Sequence, residues 1–235
     1  MRPDGRKPDD LRNPINLKIG VLNEADGSAY IEWGGNKILI GVFGPYEAPP
    51  HLEKQDRAIL RVDYKMSTFC SLEEHGKYTP SRRSVEISKV LSEALSGIVM
   101  LDHYPGAIID VNILVLQAEG GTRVASFYAS VAALIESGIK MKNVAYGISA
   151  GKYENEIVLD LSKEEDNKGQ GDIPICLDRD ENILLLQLDG KITVDEFKKA
   201  LSMIKGKKHF FEELLRKTLE DKYSKELRYS LVDEL

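Results

Sequence analysis

Cysteine, histidine and long apolar runs are all scarce in this chain, and each scarcity removes a class of function. Of 235 residues only two are cysteines, Cys70 and Cys176, far apart and with no Cys or His nearby at metal-ligand spacing. Neither a disulfide framework nor a zinc site is indicated, and both thiols are expected to be inert packing residues. The four histidines, His51, His75, His103 and His209, are scattered, so histidine-based acid–base or nucleophilic machinery has little support. No apolar run approaches the roughly 20 residues that span a bilayer, and Met1-Arg2-Pro3-Asp4-Gly5-Arg6 carries no apolar signal segment. A cytoplasmic protein with no membrane partner is the expectation. A surplus of positive charge is missing as well. With a net charge of -6, the chain is not one that coats itself in nucleic acid, and any polyanion must be held locally.

What is present is ordinary globular material, 42% hydrophobic and 30% charged, in a length that suits one large or two small domains. Apolar alternation in 15–22, 29–33, 38–43 and 58–64 predicts four strands, the first three forming an antiparallel meander across Asp26-Gly27 and Gly34-Gly35-Asn36 turns. Residues 47–57, with two prolines and mixed charges, read as an exposed loop, and Thr79-Pro80 as a helix start. A strand over 107–116 precedes a helix over 124–137. A second group of strands follows at 144–151, 157–161, 172–177 and 183–188, and Thr193-Val194-Asp195-Glu196 opens a long helical region.

Three features carry chemistry. In Glu119-Gly120-Gly121-Thr122-Arg123, two glycines allow a tight strand-to-helix turn that aims unpaired N–H groups at an anion. Thr122 adds a hydroxyl, and Arg123 adds a planar cation able to grip two phosphate oxygens. By itself the turn is equally a plain connection that uses glycine. In Ser81-Arg82-Arg83-Ser84, helical spacing of about 100° per residue puts Arg82, Glu86, Lys89 and Glu93 on one polar stripe. Arg83 falls instead in the sector of Ile87, Val90 and Ala94. It is either an arginine snorkelling past the core or a guanidinium held in a cleft. Third, Glu164-Glu165-Asp166-Asn167-Lys168-Gly169-Gln170-Gly171-Asp172 reads as a loop joining two strands. Pairing of those strands would bring Asp166 and Asp172 together, where they could share a proton or hold a divalent cation. Alternation sets Asp172, Pro174 and Cys176 on the face away from the apolar side, and Pro174 suggests an edge strand or a bulge. A hydrophilic hairpin loop is the plainer reading.

In this order, a phosphate cradle, arginines on a helix start and an acidic pair are what phosphorolysis of a polynucleotide requires. The residues resemble the RNase PH family, and within it the catalytic type of ring subunit of the archaeal exosome. The likeness runs from Asp4-Gly5-Arg6 and Leu11-Arg12 through Ser81-Arg82-Arg83-Ser84 with Glu86 to 116–123. It continues through Gly151-Lys152, Leu159-Asp160-Leu161, Glu164-Glu165-Asp166 and Asp172 to Leu186-Gln187-Leu188-Asp189-Gly190. The resemblance implies an α+β fold of two related halves, of the ribosomal protein S5 domain 2 type, with mixed sheets packed by helices. The grouping of strands and helices divides the chain into 1–143 and 144–225, and the charged tail, 226–235, is expected to fray. The resemblance also implies a six-membered ring shared with a related non-catalytic subunit, RNA-binding cap subunits on one face, and single-stranded RNA as substrate. The implied activity is 3′-to-5′ phosphorolytic exoribonuclease, with inorganic phosphate as co-substrate and Mg²⁺ or Mn²⁺ as metal. By the same resemblance, Gly121, Thr122 and Arg123 match the phosphate-binding turn, and Arg82 and Arg83 the arginines on the RNA 3′ end. Asp166 and Asp172 match the catalytic carboxylates and metal ligands, and Arg61 and Lys65 match basic residues near the channel entrance. The chain departs from the family's usual pattern at Asp63, Glu119 and Gln170-Gly171. Two relatives share the outline: a bacterial-type homohexamer that trims transfer RNA ends, and a non-catalytic ring subunit.

Overall fold

Strong alternation gives the meander its strands. β1 (Ile15–Ile19), β2 (Gly27–Trp33) and β3 (Asn36–Glu47) pair antiparallel, with Ile31, Ile38, Ile40 and Val42 fully buried on the inner face. The structure, a computed structural model, describes residues 2–71 and 81–233, with side chains through residue 224. The expected helix start at Thr79-Pro80 lies outside the described residues. β4 (Ile59–Met66) runs parallel to β5 (Ala107–Gln117), which inserts beside β3 to give the order β1-β2-β3-β5-β4. Parallel neighbours need a crossover, supplied here by α1 (Arg82–Ile98). Ser81 caps that helix by accepting the Ser84 N–H, 3.0 Å away, and Ile87, Leu91, Leu95 and Ile98 bury its inner face.

The second sheet contains β6 (Ala145–Tyr153), β7 (Glu156–Leu159), β8 (Gly171–Asp178) and β10 (Asp189–Gly190) in the order β10-β8-β6-β7. β9 (Ile183–Leu186) also pairs with β8. Between the two sheets runs α2 (Thr122–Glu136), apolar nearly all round and buried along nearly its whole length, as such a helix must be. It packs on β2 and β3 from one side and on β6 from the other. Gly147 permits this approach: a Cβ there would stand 2.6 Å from the Cys176 sulfur and 3.4 Å from Val124 Cβ. Short α3 (Lys163–Lys168) precedes β8, and α4 (Val194–Lys205) and α5 (Lys208–Asp233) end the chain. Phe211 of α5 fastens the halves, its ring 5.2 Å from Trp33, 4.9 Å edge-on to Tyr128 and stacked 5.7 Å from Tyr146. Both cysteines are free and buried, with thiols pushed up by burial. No described helix is long and apolar enough to cross a membrane.

Three expectations change. Residues 163–168 are helix, not hairpin loop, because Ser162 and Glu165 form a capping box. β7 and β8 do not pair with each other; β6 lies between them. β8 is an interior strand buried from Ile173 to Asp178 on both faces, so Pro174 marks no edge. It is tolerated because the neighbouring strand breaks into β9 and β10 opposite it, where no Pro174 N–H is needed. At the chain end, the backbone of α5 is helical to Asp233.

Candidate active site

The glycine turn is built as the sequence requires. Gly120 and Gly121 both have left-handed φ, +79° and +66°, and Gly121 is the N-cap of α2 with no side-chain cap. The turn's carbonyls are drawn inward. Asn36 accepts the Glu119 N–H at 2.7 Å and donates to the Gly120 carbonyl at 2.6 Å. Arg12 donates to the carbonyls of Glu119 and, at 3.2 Å, Gly120. The first N–H groups of α2 have no helical carbonyl to satisfy them, and the N-cap supplies no side-chain acceptor. Arg12 is itself fixed by the buried Asp160, whose oxygens accept its Nη2 at 2.7 Å, its backbone N–H at 2.6 Å and the Trp33 indole N–H at 2.8 Å.

The acidic pair is set by a second buried knot. Glu165, fully buried, accepts two bonds from Arg2, at 2.6 and 2.9 Å, and one from Arg6 at 3.2 Å. Burial works against its ionisation, but Arg2, the Ser162 N–H and Arg6 outweigh it and hold the carboxyl below its ordinary range. With Glu165 turned inward, its neighbour Asp166 faces a pocket of about 210 Å³ shared with Thr122, Arg83 and Lys163. Burial raises the Asp166 pKa against the pull of Arg83, Arg123 and Arg12. At the start of β8, Asp172 is raised to about 7, first by burial and next by the Asp166 charge, with Arg123 opposing. Its Oδ1 is buried with no partner among the described residues, as is Arg123 Nε. Asp189, paired to Asp172 across β10, adds further negative charge to both aspartates.

Gly121, Thr122, Arg123, Arg83, Asp166 and Asp172 thus converge, from α1, α2, α3 and β8. Arg83 sits one turn before Ile87 on the core stripe, beyond the core's edge, and is exposed rather than snorkelling. Arg82 is exposed and is not among the main charges acting on either aspartate. Arg61 and Lys65 lie elsewhere, on the face of β4 opposite Tyr64 and Met66, where Arg61 is paired with Asp110 at 2.7 Å and Lys65 with Asp63. Sequence reasoning missed Glu86. Assigned to the solvated stripe of α1, its Oε1 stands 3.5 Å from Arg123 Nη2 and accepts the Gln187 amide at 2.9 Å. A larger groove, about 850 Å³, borders Arg6, Arg12 and Phe210, but both arginines there are already spent on Asp4, Asp160 and Glu165.

Two carboxyls raised chiefly by burial, one raised further by the charge of the other and holding an unpartnered buried oxygen, suit a divalent cation. Opposite them, a helix N-terminus and a guanidinium with a free Nε–H suit a phosphate.

Residues 11–140 match the model of RNase PH, 3′ exoribonuclease family, domain 1, and residues 143–204 match that of domain 2. The exosome complex component Rrp41 of Thermoplasma volcanium is 50% identical over 225 residues, covering 95% of this chain and 90% of that protein. Its counterpart in Pyrococcus furiosus is 52% identical over 227 residues, with the same coverage of 95% and 90%. Among solved structures, rice (Oryza sativa) Rrp46 superposes with a TM-score of 0.83 at 23% identity, covering 93% of this chain and 100% of that one. A chain of the Archaeoglobus fulgidus exosome with RNA bound to the active site gives a TM-score of 0.77 at 24% identity, covering 90% and 91%. At these identities the structural likeness establishes the fold.

Proposed function

Because the chain belongs to the RNase PH family of 3′ exoribonucleases, we propose that it shortens single-stranded RNA from its 3′ end by phosphorolysis, releasing nucleoside diphosphates. One observation carries the reading: Asp172, raised to a pKa of about 7, lies within electrostatic reach of Arg123 at the start of α2. A carboxyl that keeps its proton at neutral pH is an acid, suited to a departing oxygen and ill suited to activating water.

In the reaction proposed, orthophosphate is held by the N–H groups of Gly121 to Arg123, the Thr122 hydroxyl and the Arg123 guanidinium. One of its oxygens bonds to the last phosphodiester phosphorus while the bond from that phosphorus to the 3′ oxygen of the preceding nucleotide breaks. Asp172 gives its proton to that oxygen. The products are RNA shorter by one nucleotide and a nucleoside diphosphate; the reverse reaction extends RNA. Arg83 and Arg82 neutralise the terminal phosphates, Arg83 from the pocket wall. Asp166, joined by Asp172 once that residue has given up its proton, would hold Mg²⁺ or Mn²⁺, which when bound offsets the negative charge of the crowded phosphate oxygens.

The relatives at about half identity bear the name of an exosome component, which favours a ring shared with a related, non-catalytic subunit and capped by RNA-binding proteins. That is preferred over a self-sufficient homohexamer. Arg61 and Lys65, both exposed, would then meet RNA along its approach rather than at the site of cleavage. The test is incubation of 3′-labelled RNA with orthophosphate and the full chain, alone and with a related ring subunit. Labelled nucleoside diphosphate is expected. Nucleoside monophosphate as product, or RNA binding without turnover in every assembly, would overturn the reading.

A further inference from the structure

Tyr64 lies behind the anion site and takes no part in the reaction as described. It projects from β4 and is 1% exposed, with its hydroxyl 2.9 Å from Thr122 Oγ1. Thr122 is the first residue of α2 and is itself 4% exposed, on the wall of the pocket that holds Asp166. Two hydroxyls that share one hydrogen bond have two protons, and only one proton lies between them. A buried hydroxyl proton without an acceptor costs on the order of 1–3 kcal/mol. Among the described residues, Thr122 Oγ1 is the only partner of the Tyr64 hydroxyl. The tyrosine proton therefore goes to Thr122. The threonine oxygen is thereby committed as an acceptor, and its own proton must point elsewhere, toward the pocket.

We propose that Tyr64 is a positioning residue for phosphate: by donating to Thr122 Oγ1 it turns the threonine hydroxyl into a fixed donor aimed at the anion. The inference rests on the phosphorolytic reading and deepens it. Its physical content is preorganisation. A freely rotating hydroxyl would have to be oriented each time phosphate arrives, whereas one locked by Tyr64 needs no such adjustment. A ligand that donates rather than accepts at this point is disfavoured by the same lock. Tyr64 thus also contributes to selection of an oxyanion over an ammonium group, which can only donate.

The test is Tyr64→Phe, which removes one oxygen and leaves the ring in the core. In whichever assembly the wild-type chain releases nucleoside diphosphate, the variant's KM for orthophosphate should rise roughly three- to tenfold. Its kcat should stay within about twofold and its KM for RNA should not move, because the lock acts on phosphate binding alone. Thr122→Val should raise the phosphate KM at least as much, and the double variant should be no worse than Thr122→Val, since the two residues act through one hydrogen bond. An unchanged phosphate KM in Tyr64→Phe, or additive effects in the double variant, would refute the inference. So would an equal loss of kcat, RNA affinity and melting temperature in Tyr64→Phe, which would mark a purely structural role. A wild-type chain that yields no nucleoside diphosphate would sink the functional reading itself, a result distinct from an active wild type whose Tyr64→Phe variant behaves identically.

Discussion

A carboxyl at neutral pH ordinarily carries no proton, and Asp172 departs from that because of where β8 holds it. Burial and the neighbouring Asp166 lift its pKa to about 7 from 3.8, outweighing Arg123. A raised pKa means the folded state binds a proton that the unfolded state has released, so its stabilising effect is whole below the unfolded value and lost as pH rises through about 7. Asp172→Asn, which cannot ionise, should therefore melt several degrees higher than wild type at pH 8 in metal-free buffer and equally at acid pH, as read by calorimetry. The same variant should lose roughly 10²- to 10⁴-fold in turnover, and wild-type kcat/KM should decline as pH climbs beyond neutrality. Glu165 behaves in the opposite sense. Its pKa is lowered by Arg2, so its contribution is present above the unfolded value and lost as pH falls. Arg2→Met leaves a buried carboxylate with only Arg6 and the Ser162 N–H and should cost roughly 3 kcal/mol near pH 7, the deficit shrinking toward acid pH in denaturant titrations.

At the level of elements, what could be read from sequence is what local rules govern. The meander, the glycine turn and the long helix after it are written in alternation, left-handed glycines and an all-round apolar pattern, and each is found where expected. α3 is different. Its acidic residues look like a solvated loop until Ser162 and Glu165 are paired three residues apart, a signal present in the sequence but outweighed by the glycines that follow. Pro174 misled for a related reason: whether a strand is an edge depends on partners distant in the chain, here the break between β9 and β10. Glu86 stands within the family likeness, but its contacts could not be read, because its partners Arg123 and Gln187 arrive from other elements. Since α3 positions Asp166 through its first turn, Ser162→Ala should cost about 1 kcal/mol of stability. It should lower kcat more than RNA affinity, measured by single-turnover kinetics beside a binding titration.

Taken as a whole molecule, the candidate site belongs to neither half. Arg83, Thr122 and Arg123 come from the first sheet's helices, while Asp166 and Asp172 come from α3 and β8 of the second. Their separation is therefore set by how the halves dock. That docking depends on α2, shared between the sheets, and on the aromatic junction where Phe211 meets Trp33, Tyr128 and Tyr146. Tyr128 also donates to the Phe211 carbonyl at 2.6 Å, which ties the start of α5 to α2. Phe211→Ala should cost about 3–5 kcal/mol through lost burial and the cavity left behind, lowering the melting temperature by on the order of 10 °C. Catalysis should suffer beyond what the unfolded fraction explains. Well below the new melting temperature, kcat should fall while the phosphate KM moves little, because the phosphate cradle lies wholly within α2 and its turn, whereas Asp172 is carried by the other half. A Phe211→Ala protein that is less stable but retains full kcat at low temperature would mean that the two halves hold their spacing without the junction. The site would then be set by α2 and β6 alone.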